Sequence, residues 1–234
     1  MPASVSSFIK FGKLVLVPNV QNEIINNYVA DMANYAATSE TVKIRSCFNS
    51  IPNQLAKENT KFQYKVIQKG GSAALFGASI DWLTQAGVVL KCQKLEHAQN
   101  PISVYLDLSS FKLYMSDVGL LVMKSGLAQQ TILTGEANLF MGAVTENYIA
   151  QALVTNGYTP YYWTTEHSAE IDFVIQKDAE IIGIEVKKST STKTKSLGVF
   201  IQRYKPTYSI RFSEKNFGQS DGIKAIPHYA AFCV

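Results

Sequence analysis

Ile44, Phe48, Ile51 and Leu55 fall at i, i+4, i+7 and i+11, the stripe of a helix that buries one face. Thr38-Ser39 ahead of them offers an N-cap, and Pro52 within the stripe predicts a kink or a split. An earlier helix is expected over residues 23–35, behind a start at residues 1–22 that carries Pro18 and has no period. Phe62, Tyr64 and Val66 alternate, so residues 61–67 read as a short extended link. Gly70-Gly71-Ser72 opens a third helix with Phe76, Ile80 and Leu83 on one face, and Gly87 closes it. Residues 88–95 and 102–107 are β-rich, with a turn at 98–101 between them. Short helices followed by a hairpin predict a winged helix-turn-helix over residues 23–110, an arrangement that serves either DNA or a protein partner.

From residue 111 the period changes. Residues 111–115 read as a strand, and Asp117 caps a short helix. A long helix is expected over 135–156, strands over 161–164, 169–176 and 181–188, a helix over 192–204 with Leu197, Phe200, Ile201 and Tyr204 on one face, and a last strand over 207–213. The order α-β-β-β-α-β describes an α/β sandwich. The expected organisation is therefore a tail at 1–22, a first domain at 23–110 and a second at 111–234, an α/β (α+β) chain.

Strand alternation decides which side chains of the second domain share a face. Ile171, Phe173 and Ile175 lie on one side of their strand and Glu170, Asp172, Val174 and Gln176 on the other. In the next strand Ile182, Ile184 and Val186 oppose Glu185 and Lys187. A hairpin centred on Asp178-Ala179 pairs residues whose numbers sum to 357, which sets Asp172 opposite Glu185. Two carboxylates with Cβ atoms about 5 Å apart repel unless a positive group separates them. A Mg²⁺ ion suits oxygen ligands; a water-facing sheet side would tolerate the same residues without one. The long-helix stripe, Leu139, Ala143, Glu146, Ala150 and Leu153, holds one acid, Glu146. A buried carboxylate needs a partner, and a third acid converging on the other two favours the metal.

Composition narrows the class. The chain has 234 residues, 47% hydrophobic and 17% charged, which excludes a disordered or fibrous protein. No apolar run reaches about 18 residues, so no membrane helix is expected. Cys47, Cys92 and Cys233 are scattered without a zinc spacing, which suits a reducing, cytoplasmic setting. Residues 43–94 carry eight Lys/Arg against Glu58 and Asp81. That basic zone fits a polyanion such as DNA, or a solvated lysine-rich face. The third helix, residues 72–86, has no Lys or Arg, so Lys57, Lys61, Lys65 and Lys69 would hold phosphates and read no bases. Lys187, Lys188, Lys193 and Lys195 form a second basic run beside the acids, suited to a phosphate backbone or a solvated helix start. His97, His167 and His228 are isolated from any nucleophile motif, and Trp82 and Trp163 sit in apolar runs as expected core.

Several segments carry a resemblance. Lys112-Leu-Tyr-Met-Ser-Asp-Val-Gly-Leu-Leu121, Glu146-Asn-Tyr-Ile-Ala, Tyr161-Tyr-Trp, Ala169-Glu-Ile-Asp-Phe-Val-Ile175, Ile184-Glu-Val-Lys187 and the stretch Asp221-Gly-Ile-Lys-Ala-Ile-Pro-His-Tyr-Ala-Ala-Phe-Cys233 resemble the C-terminal domain of bacterial and archaeal AAA-type ATPases, a branch of the restriction-endonuclease-like PD-(D/E)-x-K superfamily. Residues 23–107 resemble the winged-helix part of the same proteins. The resemblance implies that Glu146, Asp172, Glu185 and Lys187 are the four signature residues, the acids binding Mg²⁺ and the lysine assisting the attacking water and the phosphate. Ile171 stands where the superfamily's name has proline, Ser168 where glycine is common, and Asp178-Ala179 where Asp-Gly is common. No Gly-x-x-x-x-Gly-Lys-Ser/Thr occurs, so the chain corresponds to the part of such a protein that follows its ATPase domain. Three functions follow as expectations: a Mg²⁺-dependent nuclease with its own DNA-binding module, a nuclease fold without turnover that binds DNA or protein for an ATPase, or a structural oligomerisation module.

Overall fold

The structure is a computed structural model that describes residues 17–57, 60–134, 138–165, 169–187 and 195–234. Lys188, Lys193, His167, Ser168, the first sixteen residues of the expected tail and the expected helix starts at 135 and 192 lie outside them. The chain is mixed α/β and divides into two compact units, Met1–Leu90 with Leu113–Phe140, and Lys91–Lys112 with Met141–Val234. The break expected at 110/111 is thus replaced by a path in which residues 91–112 belong to the second unit.

In the first unit α1 spans Val17–Tyr35, α2 Thr38–Leu55, α3 Tyr64–Ile67, α4 Ala73–Gln85, α5 Val118–Ser125 and α6 Gln129–Thr134. Helix α1 includes residues 17–22 of the expected tail, because Pro18 at its second position forfeits only an N–H that a helix start leaves unpaired. Helix α2 buries Ile44, Phe48, Ile51 and Leu55 as the spacing predicts. Pro52 does not split it; lying in the last turn, it still accepts from the Ala56 amide at 3.0 Å. Its N-cap is Ala37, whose carbonyl takes the Glu40 and Thr41 amides, so the expected Thr38-Ser39 cap is absent. Residues 64–67 make a helical turn where an extended link was expected. The buried amide of Gln54 pairs with both backbone groups of Gln63 at 3.0 Å, supplying the contacts a neighbouring strand would have given. Helix α4 ends at Ala86 and Gly87, whose φ of 68° is the left-handed conformation a Cβ resists. Asp117 caps α5, accepting from the Leu120 amide at 3.0 Å.

The sheet comprises β1 Val89–Leu95, β2 Leu106–Met115, β3 Tyr161–Thr164, β4 Glu170–Lys177, β5 Glu180–Val186, β6 Ser209–Ser213, β7 Gly218–Ser220 and β8 Ile223–Pro227. Its order is β2-β1-β3-β4-β5-β6-β8-β7, with parallel and antiparallel pairs. Residues 102–105, expected as strand, form a 3-10 turn with Val104 N–H bonded to the Pro101 carbonyl. The hairpin expected to stand as a wing is part of this sheet, since β1 pairs in parallel with β3. Strands β7 and β8 were not anticipated; both are short, and β7 is exposed throughout.

The second unit also holds α7 Met141–Thr155 and α8 Lys195–Tyr204. The observed order α7-β3-β4-β5-α8-β6 matches the expected order of elements. Leu139, expected on the stripe of α7, precedes the helix and is 93% exposed. Trp163, Ile171, Val174, Leu197 and Phe200 share one buried cluster. Ile171 and Val174 lie three apart, an odd step that strict alternation forbids. The pairs Tyr161 with Val174 and Trp163 with Ile171 show why: β4 has one residue more than β3 between them, a bulge that contains Asp172 and Phe173.

Candidate functional site

Strand β4 pairs with β5 in the register summing to 357, from Lys177 with Glu180 to Phe173 with Ile184. Beyond that last pair Asp172, inside the bulge, reaches β5 through its side chain: its Oδ2 accepts from the Val186 amide at 2.7 Å. Glu185 is 2% exposed, which excludes a solvated face at this position. Its Oε1 pairs with Lys187 Nζ at 2.8 Å, whereas its Oε2 is buried without a hydrogen-bond partner. The neighbour two residues back explains the packing. A Cβ on Gly183 would stand 2.6 Å from the ring of Phe200, so glycine lets α8 close over β5.

A second cluster centres on Lys112 of β2. Lys112 is 1% exposed, and its Nζ lies 3.1 Å from Glu146 Oε1 and 2.5 Å from Glu170 Oε1, with the Tyr162 ring centroid at 5.1 Å. Burial works against its charge, but Glu146, Glu170 and Asp172 overcome this and hold its pKa above the ordinary lysine value. Asp172 is pushed up to about 7, first by burial and then by the negative charge of Glu146; Lys112 and the Val186 amide oppose the rise.

The structure therefore gathers Glu146, Glu170 and Asp172 around Lys112, and pairs Glu185 with Lys187 on the adjoining strand. Among the described residues no three His, Cys, Asp or Glu side chains are close enough together to hold a metal ion. The sequence reading missed Lys112 and Glu170 as members of this centre. The signal was present: Lys112 interrupts the apolar run from Phe111 to Met115, and a lysine buried there requires carboxylates.

Other candidates fall elsewhere. Lys57, Lys61, Lys65 and Lys69 are exposed in the stretch from the end of α2 to the start of α4, and Lys195 is exposed at the start of α8. His97 packs edge-on against Tyr105, and His228 Nε2 bonds to the Lys187 carbonyl at 2.8 Å, fixing the backbone beside Lys187. Trp163 is core, but Trp82 is half-buried. Cys47 and Cys92 are buried free thiols, and Cys233 is exposed. No helix among the described residues is long and apolar enough to cross a membrane.

Residues 141–230, from the start of α7 into the 3-10 turn at His228–Cys233, match the profile of a domain of unknown function, DUF4143. No curated protein and no solved structure matches the chain. A second profile, the domain of unknown function DUF8612, covers residues 1–131, more than half of the sequence, and the chain belongs to that family.

Proposed function

We propose that this chain is a DNA-binding, nuclease-like portion of an AAA-type ATPase, with a winged-helix-like first unit and a second unit of PD-(D/E)-x-K type that cleaves phosphodiesters with Mg²⁺. The observation that carries it is the unbalanced charge around Lys112. Three carboxylates, Glu146, Glu170 and Asp172, meet that one buried lysine, with the Glu185–Lys187 pair on the next strand. Burial first, and the charge of Glu146 after it, raise the pKa of Asp172, and Oε2 of Glu185 on the next strand is unpartnered. Oxygen donors short of positive charge suit a hard divalent ion, which Asp172 and Glu185 would hold with several of its waters retained, Glu146 joining them as the resemblance implies. The match to DUF4143 over 141–230 fits a domain that commonly follows AAA-type ATPase domains.

When bound, such an ion lowers the pKa of a water and offsets charge on the phosphate. Lys187, paired with Glu185, would supply a cation to the phosphate oxygen as negative charge develops there. Asp172 must lose its proton to become a ligand, so with its pKa raised to about 7 by burial in the metal-free protein, ion binding would release that proton and tighten as pH rises.

One observation favours a second reading. The Lys112 ammonium already sits between Glu146 and Glu170, which is what a nuclease fold without turnover, retained for binding, would need. Plasmid and single-stranded DNA incubated with Mg²⁺, Mn²⁺ or EDTA separate the two. The catalytic reading expects divalent-dependent cleavage that Glu185→Gln abolishes and Lys187→Ala lowers by about 10²-fold or more. Wild-type protein that shifts DNA without cutting it in any metal leaves the binding reading.

A further inference from the structure

Glu185 is not alone in lacking a partner. Among the described residues six buried side-chain atoms have none, and three of them, Glu185 Oε2, Arg211 Nε and Ser209 Oγ, lie on β5 and β6. Strands β5 and β6 are parallel, with Glu185 directly opposite Arg211. Register partners share a face, and Ser209, two residues before Arg211, shares it too. Ile184 with Ile210 and Val186 with Phe212 occupy the other face. An acid and an arginine so placed would be expected to pair. They do not: neither Glu185 Oε2 nor Arg211 Nε finds a hydrogen-bond partner, and Glu185 spends its other oxygen on Lys187.

Buried polar atoms left unbonded cost stability, and a native protein keeps them where something else will bond them. Arginine presents Nε and Nη in a planar fork that fits two oxygens of a phosphate or carboxylate, and lysine cannot copy it. An anion at this point would meet Lys187 and Arg211 against the single charge of Glu185, so the local balance is favourable. We propose that Arg211 is a phosphate-binding residue of this centre, its half-buried guanidinium donating to a backbone phosphate of nucleic acid beside Glu185. The inference rests on the nucleic-acid reading above, and it adds a residue that neither the resemblance nor the strand alternation selected.

The test uses the full chain with a fluorescein-labelled oligonucleotide, single-stranded and duplex, followed by anisotropy in EDTA and in Ca²⁺ over a salt series. Arg211→Gln should bind about tenfold more weakly, the loss of one charge-assisted contact, with a salt slope shallower by about one unit. Arg211→Lys should restore the slope but not the affinity. Far-UV circular dichroism and melting of both variants identify any loss due to unfolding, and the Lys variant then carries the comparison. Binding by Arg211→Gln equal to wild type at every salt overturns the proposal. So does a wild-type melting temperature raised by inorganic phosphate in an Arg211-dependent way without oligonucleotide binding, which would make the ligand a free phosphate. Cleavage that persists unchanged in the Arg211 variants leaves the nuclease reading standing and this inference refuted. Arg211-dependent binding without cleavage in any metal does the reverse.

Discussion

Lys112 decides how the acids around it behave. A buried ammonium with two carboxylates within hydrogen-bond reach is stable only while they are charged, and removing it leaves them uncompensated. Lys112→Met should destabilise the protein by about 3–5 kcal/mol near pH 8 in chemical denaturation, and by less at pH 5, where the stranded acids take up protons. Asp172 gives the opposite pH signature. Its folded pKa, about 7, lies above the 3.8 of an unfolded chain, so between those values the folded state holds a proton that the unfolded state has lost. Stability from this group is therefore full below about pH 4 and declines as pH rises to 7. Asp172→Asn should flatten that part of the melting-temperature profile; an unchanged slope would mean that Asp172 titrates normally.

At the scale of elements, the sequence held the β4–β5 hairpin because its register needs only a turn and two alternating strands. The expected sum of 357 is the observed register from Lys177 with Glu180 to Phe173 with Ile184. The bulge was not legible: it depends on how β3 pairs with β4, a contact that alternation along one strand does not encode. The same limit hid the merging of residues 106–115 into one strand and its place in the sheet beside β1. The cover over β5 was hidden for a related reason: strand alternation does not say that the ring of Phe200 lies where a side chain on Gly183 would be. Gly183→Ala should therefore cost about 1–3 kcal/mol from overpacking, and Phe200→Leu in the same chain should recover part of the loss. A fully stable single variant would show that α8 yields without strain.

At the scale of the whole molecule, the two kinds of charge are segregated along the chain. The acids and their lysines belong to the second unit, whereas Lys57, Lys61, Lys65 and Lys69 are exposed in the first. With no Gly-x-x-x-x-Gly-Lys-Ser/Thr in the sequence, homogeneous protein should release no phosphate from ATP in a coupled assay, and turnover that copurifies with it would contradict this. The exposed lysines have a different expected signature. Helix α4 has no Lys or Arg to meet base edges, so on the proposed nucleic-acid reading the basic stretch contributes electrostatically and without regard to sequence. Each phosphate contact releases counterions. Changing Lys65 and Lys69 together to Ala should thus reduce the salt slope of DNA affinity by up to about 2 units, while the preference between two unrelated duplexes stays the same. Glu185→Gln, which leaves those lysines in place, should leave their share of the slope intact. Wild-type binding that ignores ionic strength would instead assign the first unit to a protein surface, because no arrangement of exposed lysines can hold phosphates without a salt dependence.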